Sequence, residues 1–299
     1  MKVVKRVREL QDFGDAERRA GRRLALVPTM GALHEGHAAL VAEARRRADR
    51  VVVSIFVNPT QFDDPRDLAA YPRALAEDLA LCERAGVDVV FAPEVEDLYP
   101  DGAQTGVEVN EIAKPLCGRS RPGHFRGVAT VVTKLLCAAK PHVAVFGEKD
   151  WQQLAVIRRL VRDLCLDVEI AGVPTVRERD GLARSSRNRR LDPEARRQAL
   201  VLSRALDMAE SAVRAGERDA TRLLEGVRRE IAKSPRAEID YAELRDPDSL
   251  AAVPPVLEAP ALLALAVFLR PPQGSDGAGV RLIDNRVLPM QPRSEESPR

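Results

Sequence analysis

Two of the chain's four histidines stand three residues apart in one short run, "VPTMGALHEGH", residues 27–37, where an apolar stretch turns polar. Gly31 and Gly36 bracket the turn and permit backbone conformations and close approaches that side chains would block. A helix starting near Glu35 would offer unpaired backbone N–H groups and the positive end of its dipole, which together make an anion site. His34 and His37 would then share a face beside that anion. Two imidazoles there can donate hydrogen bonds to phosphate oxygens as charge builds in a transition state, the geometry of nucleotidyl transfer. One histidine at a helix start is ordinarily a cap or a surface residue; two in one glycine-bracketed turn favour chemistry. The run matches neither the dinucleotide pattern GxGxxG nor the P-loop ending GK[ST].

Three further runs carry groups suited to the same task. "FVNPTQF" puts the neutral amides of Asn58 and Gln61 after an apolar strand, suited to fixing a hydroxyl or a carboxylate, with plain Asn-Pro turn chemistry an equal alternative. "FGEKDWQQL" repeats the strand-turn-helix arrangement, with Lys149 as a compact cation for a phosphate and Gln152 and Gln153 in the first helical turn. "ARSSRNRRL" gathers Ser185, Ser186, Arg187 and Asn188 on a loop that is able to close over a polyphosphate. In so arginine-rich a chain that last cluster also arises by chance.

The elements that must position these groups follow from hydrophobic pattern. "LALVPT", "RVVVSIFVN", "VDVVFAP" and "HVAVFGE" are near-continuous apolar, β-branched runs, separated by the helix-compatible "HAALVAEARRRA" and "RALAEDLALCERAG". Such alternation predicts an α/β fold, a Rossmann-like doubly wound parallel sheet covered on both faces. In the helix after the histidines, Ala38, Val41, Ala42 and Arg45 fit the spacing of one face, widened by Leu40 and Ala44. Asp150 reads as the N-cap of a helix whose stripe is Leu154, Ile157, Val161 and Leu164. Residues 192–233 read as two long polar helices, the first opened by Asp192-Pro193. "EIDYAELRD", "ALLALAVFL" and "VRLIDNRVL" then read as strands, with the turn-rich "RPPQGSDGAG" between the last two, giving a smaller α+β domain. The expected division is 1–176 for the catalytic domain, 177–288 for the smaller one, and a disordered tail at 289–299.

Composition narrows the class. The chain has 299 residues, with hydrophobic content of 45% and charged content of 31%, enough for proper cores. Its 47 basic and 45 acidic side chains leave a formal net charge of +2, no basis for nucleic-acid or membrane-surface binding. Cys82, Cys117, Cys137 and Cys165 form no CxxC pair and no ligand spacing with histidine, so free thiols of a reducing cytoplasm are expected. "MKVVKRVRELQDFGDAERR" lacks the apolar core of a signal peptide, and "PALLALAVFL" is about half of a membrane span.

Taken in order, "PTMGALHEGH", "SIFVNPTQF", "HFRGVATVVTKLL", "FGEKDWQQL" and "GLARSSRNRRLD" closely resemble the pantothenate synthetase (pantoate–β-alanine ligase) family of the HxGH nucleotidyltransferase superfamily. The resemblance is strong over residues 20–195 and looser beyond, through "DYAELRD". It implies a cytoplasmic homodimer with a lid-like C-terminal domain. It also implies that ATP, (R)-pantoate and β-alanine are converted to pantothenate, AMP and pyrophosphate by way of an acyl adenylate. By resemblance the ATP residues are Met30, Gly31, Ala32, Leu33, His34, Glu35, Gly36 and His37; Gly147, Glu148, Lys149 and Asp150; and Val176, Arg184, Ser185, Ser186 and Arg187. Gln61 and Gln153 would hold pantoate, with Gln61 also near β-alanine, and His37 would be the proton donor, assisted by His34 and Lys149. Mg²⁺ is expected across the phosphates, with Asp78 as its candidate ligand. The chain departs from the usual family pattern at Arg184, where Met or Lys is common, and at Trp151, where Tyr or Phe is common. Two rivals stay open: another adenylyl or cytidylyl transferase with the same turn, and a catalytically silent nucleotide binder. The first would lack the need for Gln61 and Gln153, the second the need for His34, His37 and Lys149.

Overall fold

The structure is a computed structural model, and it describes residues 1–272 and 279–290. The described residues divide into two units: 1–176 with 184–186, and 177–183 with the remainder from 187.

The first unit is built on a six-stranded parallel sheet. In chain order its strands are β1 (Lys2–Val4), β2 (Leu24–Thr29), β3 (Arg50–Ile55), β4 (Val89–Phe91), β5 (Val143–Gly147) and β6 (Glu169–Val173). Across the sheet they run β1-β4-β3-β2-β5-β6. The helices between them are α1 (Val7–Arg19), α2 (Glu35–Arg47), the short α3 (Pro65–Ala69), α4 (Leu75–Arg84), the short α5 (Val95–Leu98) and α6 (Cys117–Ser120), α7 (His124–Ala139) and α8 (Trp151–Asp163). Alternating side chains reach opposite faces of the sheet. Leu24, Leu26 and Val52 pack with Leu10 of α1, Val128 of α7 and Ile157 of α8. Ala25, Val27, Val51 and Val53 pack with Val41 and Ala44 of α2 and Cys82 of α4. Both faces are therefore buried, as near-continuous apolar strands require.

Strand order fixes where a site belongs. From β2 the chain winds outward through β3 and β4, then returns to pair β5 on the opposite side of β2. β2 and β5 are thus neighbours whose following connections diverge, leaving a crevice beyond their carboxyl ends, where doubly wound sheets collect ligands. Both candidate turns, after Thr29 and after Gly147, lie at this switch point.

The second unit is a three-stranded antiparallel sheet, β7 (Ala237–Arg245), β8 (Ala261–Leu269) and β9 (Val280–Leu288) in that order. The helices α9 (Pro193–Gln198), α10 (Val201–Arg214) and α11 (Ala220–Ala232) precede it. One core joins Leu202, Leu206 and Val213 of α10 and Leu223 and Val227 of α11 to Leu263, Leu265 and Val267 of β8. "PALLALAVFL" is thus the buried central strand of a small sheet. No helix among the described residues is long and apolar enough to cross a membrane.

Three expectations change, and one element goes unforeseen. The buried face of α2 is Val41 and Ala44, which pack against β2, β3 and β5, while Ala42 and Arg45 are exposed. Asp150 makes no side-chain cap; a 3₁₀ turn, Glu148–Asp150, rolls directly into α8, and Leu164 at the far end of the stripe is exposed. Residues 192–233 form three helices, because hydrogen bonds from Leu200 to Arg197 and from Leu202 to Ala199 tighten the joint, and each longer helix buries an apolar face. Finally, the N-terminal charged run contains an edge strand, β1, too short to show a period, in which Val4 is buried and Val3 exposed. The expected tail falls mostly outside the described residues, as does the middle of "RPPQGSDGAG".

Candidate active site

β2 ends at Thr29, whose hydroxyl donates to the carbonyl of Ser54 in β3 and accepts from the N–H of Gly31. The chain then turns through two positive-φ residues, Gly31 at +81° and Ala32 at +51°. A Cβ on Gly31 would lie 2.9 Å from Asp78 Oδ2, so shape and dihedral both demand glycine.

α2 begins where the histidine spacing predicts, with His34 as its N-cap. The cap is reciprocal: His34 Nδ1 accepts from the N–H of Gly36 at 3.1 Å, and His37 Nδ1 accepts from the N–H of His34 at 3.2 Å. A Cβ on Gly36 would be 2.8 Å from the His34 ring, so glycine makes room for that ring to fold over the helix start. A ring nitrogen that accepts carries no proton, which puts the hydrogen of both neutral rings on Nε2. The rings lie 4.1 Å apart between centroids, tilted by 40°. Burial pushes His37 down to about 3 from its ordinary 6.5, helped by the repulsion that two protonated rings so close would feel and by the charge of Lys149, and opposed by Asp150. In the resting protein His37 is therefore a neutral Nε2–H donor, and the ends of β2 and β5 sense each other's charge.

At the end of β5, Gly147 leads into the 3₁₀ turn with Lys149 and Asp150, their charged ends 3.7 Å apart. The paired glutamines that follow have different jobs. Gln152 is buried, accepting from the N–H of Cys117 and donating to the carbonyls of Ile112 and Pro115, so it ties α8 to the preceding loop. Gln153, the expected pantoate ligand, is half-buried.

At the end of β3, the 3₁₀ turn Pro59–Gln61 buries Gln61, whose Nε2 reaches Met30 Sδ at 3.2 Å across to the histidine turn. Its Oε1 accepts from Asn58 Nδ2, and Asn58 is itself held by the carbonyl of Gly127 and the hydroxyls of Thr60 and Tyr99. Asn58 is thus a support for Gln61, with its own amide fully engaged. Gly127 lets α7 press against this turn, since a Cβ there would lie 2.4 Å from the Thr60 carbonyl oxygen. His124 Nδ1 donates to the Gln61 carbonyl at 2.8 Å, and Arg121 donates to the same oxygen at 3.0 Å. Sequence reasoning gives Arg121, His124 and Tyr99 no part; the available signal is a His-Phe-Arg-Gly run that opens the most deeply buried helix.

The segment 184–186 belongs to the first unit although it follows seven residues of the second. The N–H of Arg184 bonds the carbonyl of Val176, and its guanidinium pairs with Glu35 at the start of α2, 2.5 Å at closest. That pairing holds Glu35 below the usual carboxylate range. Ser186 opens a 3₁₀ turn, Ser186–Arg190, in which Arg187 belongs to the second unit.

Asp78, the expected Mg²⁺ ligand, is engaged by the backbone of the histidine turn. It is 2% exposed at the start of α4, with Oδ2 accepting from the N–H of Ala32 at 2.9 Å and Oδ1 from that of Leu33 at 2.7 Å. Both oxygens thus face backbone, and among the described residues no group of three His, Cys, Asp or Glu side chains is set to hold a metal ion.

A doubly wound sheet with two histidines at its switch point, a lysine on the adjoining strand end and buried amides beside them is the framework of an enzyme site. The sequence profile of the family described as Pantoate-beta-alanine ligase matches residues 2–287, and the chain belongs to that family of ATP-dependent ligases. It is 54% identical over 288 residues to the pantothenate synthetase of Syntrophobacter fumaroxidans, covering 96% of this chain and 99% of that one. It is 52% identical to the pantothenate synthetase of Geobacter sulfurreducens at the same coverage. The crystal structure of pantothenate synthetase from Thermus thermophilus superimposes with a TM-score of 0.88 at 44% identity, over 97% of this chain and all of that one. The pantoate-beta-alanine ligase of Francisella tularensis, complexed with Beta-gamma ATP and Beta-alanine, gives 0.77 at 34% identity, over 96% and 97% of the two chains.

Proposed function

We propose that the chain condenses (R)-pantoate with β-alanine through a pantoyl adenylate made in the crevice between the ends of β2 and β5. A carboxylate resists attack by an amine, so it must first acquire a leaving group. The pantoate carboxylate oxygen attacks the α-phosphorus of ATP; a P–O bond forms, the bond to the bridging oxygen breaks, and pyrophosphate leaves. The amine of β-alanine, as free base, then attacks the acyl carbon; the C–N bond forms, AMP departs, and the amine's proton passes to solvent.

The observation that carries this reading is the pair of Nε2–H donors fixed at the start of α2 by reciprocal capping. Neutral donors fixed before the substrate arrives need little reorganisation as charge grows on the α-phosphate. His37 donates there, and the arriving polyphosphate raises its proton affinity against the effect of burial, so the ring can take up a further proton and pass it on as charge develops. Lys149 faces the departing pyrophosphate, and Gly147, Glu148, Asp150, Val176 and Ser185 to Arg187 complete the nucleotide's surroundings. Gln61 and Gln153 orient pantoate, Gln61 reaching β-alanine as well. The turn residues Met30 to Leu33 line the nucleotide with backbone and small side chains.

Mg²⁺ accompanies ATP as the counter-ion of its phosphates, a role that needs few protein carboxylates. The engaged oxygens of Asp78 do not fit it as a ligand. A homodimer in the cytoplasm, and a lid-like part for the unit that follows residue 176, belong to the same proposal.

The test is to supply ATP and pantoate with and without β-alanine and to follow AMP and pyrophosphate. Pyrophosphate release without β-alanine and AMP release only with it is the expected pattern. A nucleotidyl transferase of another kind would show no β-alanine-dependent AMP, and a silent binder would show neither product.

A further inference from the structure

We infer that Asp78 is a positioning residue for adenylate formation, acting through the backbone of Ala32 and Leu33 on the two histidines. The inference rests on the adenylating role proposed above.

Asp78 lies 46 and 45 positions along the chain from the two N–H groups it accepts from, yet it binds both, one with each oxygen. A carboxylate that is 2% exposed must be compensated by hydrogen bonds or opposite charge. Here two consecutive peptide N–H groups provide that, and the first turn of α4, in which Asp78 sits, adds the positive end of its dipole. A carboxyl group buried at this depth with both oxygens on one turn ties the shape of that turn to α4.

That turn is not one the backbone adopts unaided. Gly31 and Ala32 both have positive φ, and for alanine that region is disfavoured, so the surroundings must hold it. The carboxylate does so by fixing the peptide planes on either side of Ala32. His34, the cap of α2, is the very next residue after Leu33. A rotation of those planes would therefore shift the start of α2, break the reciprocal bonds of His34 and His37, and swing both Nε2–H groups away. Gly31 belongs to the same device, since any Cβ there would meet Asp78 Oδ2.

Asp78→Asn preserves shape but replaces one acceptor with an NH₂ that opposes a backbone N–H. Expected is a fall of roughly 10- to 10²-fold in the single-turnover rate of pantoyl-adenylate formation per active site, with the KM values for ATP and pantoate within about threefold of the parent. In the free protein, ¹⁵N correlation spectra of the imidazoles should show His34 and His37 as Nε2–H tautomers, and in Asp78→Asn a loss of that single pattern. Asp78→Asn and Gly31→Ala should be less than additive, because they break one device. A structural part alone would lower the melting temperature while leaving the rate per active site and the tautomers unchanged, and that result overturns the inference. So does a raised Mg²⁺ requirement with unaltered imidazole spectra, which would return Asp78 to the metal. Should Asp78→Asn fail to fold, amide exchange in the parent decides: the Ala32 and Leu33 N–H groups must be strongly protected, and exchange at loop rates refutes the clamp. The exchange and tautomer measurements need no substrate, so they remain decisive even if the adenylating role itself fails.

Discussion

At the end of β2 the helix start is closed by two neutral imidazoles that cap each other's backbone, while a buried carboxylate grips the turn from behind. At the end of β5, one strand away, the turn rolls into its helix without a side-chain cap and carries a lysine and an aspartate whose charged ends are 3.7 Å apart. The first end offers direction: fixed, uncharged donors whose value does not decay with salt. The second offers charge: a flexible cation that follows a moving anion and is screened by ions. Transfer at phosphorus needs both, since the α-phosphate stays in place while pyrophosphate leaves.

The sharpest way to break this contrast is His37→Ala. It removes a pre-aimed donor and one half of the reciprocal cap, so the rate of adenylate formation should fall by roughly 10²- to 10⁴-fold. Activity within a few-fold of the parent, measured by pyrophosphate release, would end the catalytic case for His37. Lys149→Met keeps the length of the stem and removes the charge; a loss of about 10- to 10²-fold is expected, smaller because the position is reached by solvent. Raising ionic strength should shrink the gap between parent and Lys149→Met while leaving the His37 deficit untouched.

A pH titration sharpens the same division. Because His37 is pushed from 6.5 to about 3 in the folded chain, the unfolded chain binds more protons between those values. Its contribution to stability is whole above about 6.5 and is lost as the pH falls toward 3. Imidazole ¹⁵N shifts of His37 in the free protein should accordingly show no titration from pH 8 to pH 5. A midpoint near 6.5 would mean that the ring is solvated and charged at rest, like the groups at the end of β5.

How much of this is legible in the sequence depends on whether the signal is local. The strands "LALVPT" and "HVAVFGE" announce themselves because buried parallel strands are apolar throughout, and the histidine turn because its glycines and ring spacing sit within eleven residues. The supports are invisible for the opposite reason. Asp78 reaches Ala32 from 46 residues away, and His124 reaches Gln61 from 63 away, so nothing near either residue states its partner. An aspartate at a helix start reads equally as a dipole partner, a metal ligand or a clamp. Gln152 and Gln153 are adjacent and identical in type, and only the packing of α8 against the loop at Ile112–Cys117 separates the tether from the candidate ligand. The pattern misplaces the phase of α2 because Ala42 is apolar enough to fit either face, and the sheet beneath selects Ala44.

The smallest expected effect tests whether charge from a third segment adds to the β5 end. The guanidinium of Arg184 is already paired with Glu35 on the first turn of α2. A triphosphate must compete with Glu35 for it, so much of its attraction is offset before ATP arrives, and exposed pairs are weak. Arg184→Met should raise the KM for ATP about two- to fivefold and leave kcat nearly unchanged. Glu35→Gln removes that pairing and should lower that KM instead, while the double variant should resemble Arg184→Met. If Arg184→Met instead lowers kcat with KM unmoved, the guanidinium acts on the transition state, and directional work extends beyond the two histidines to a segment that the sequence marks only as basic.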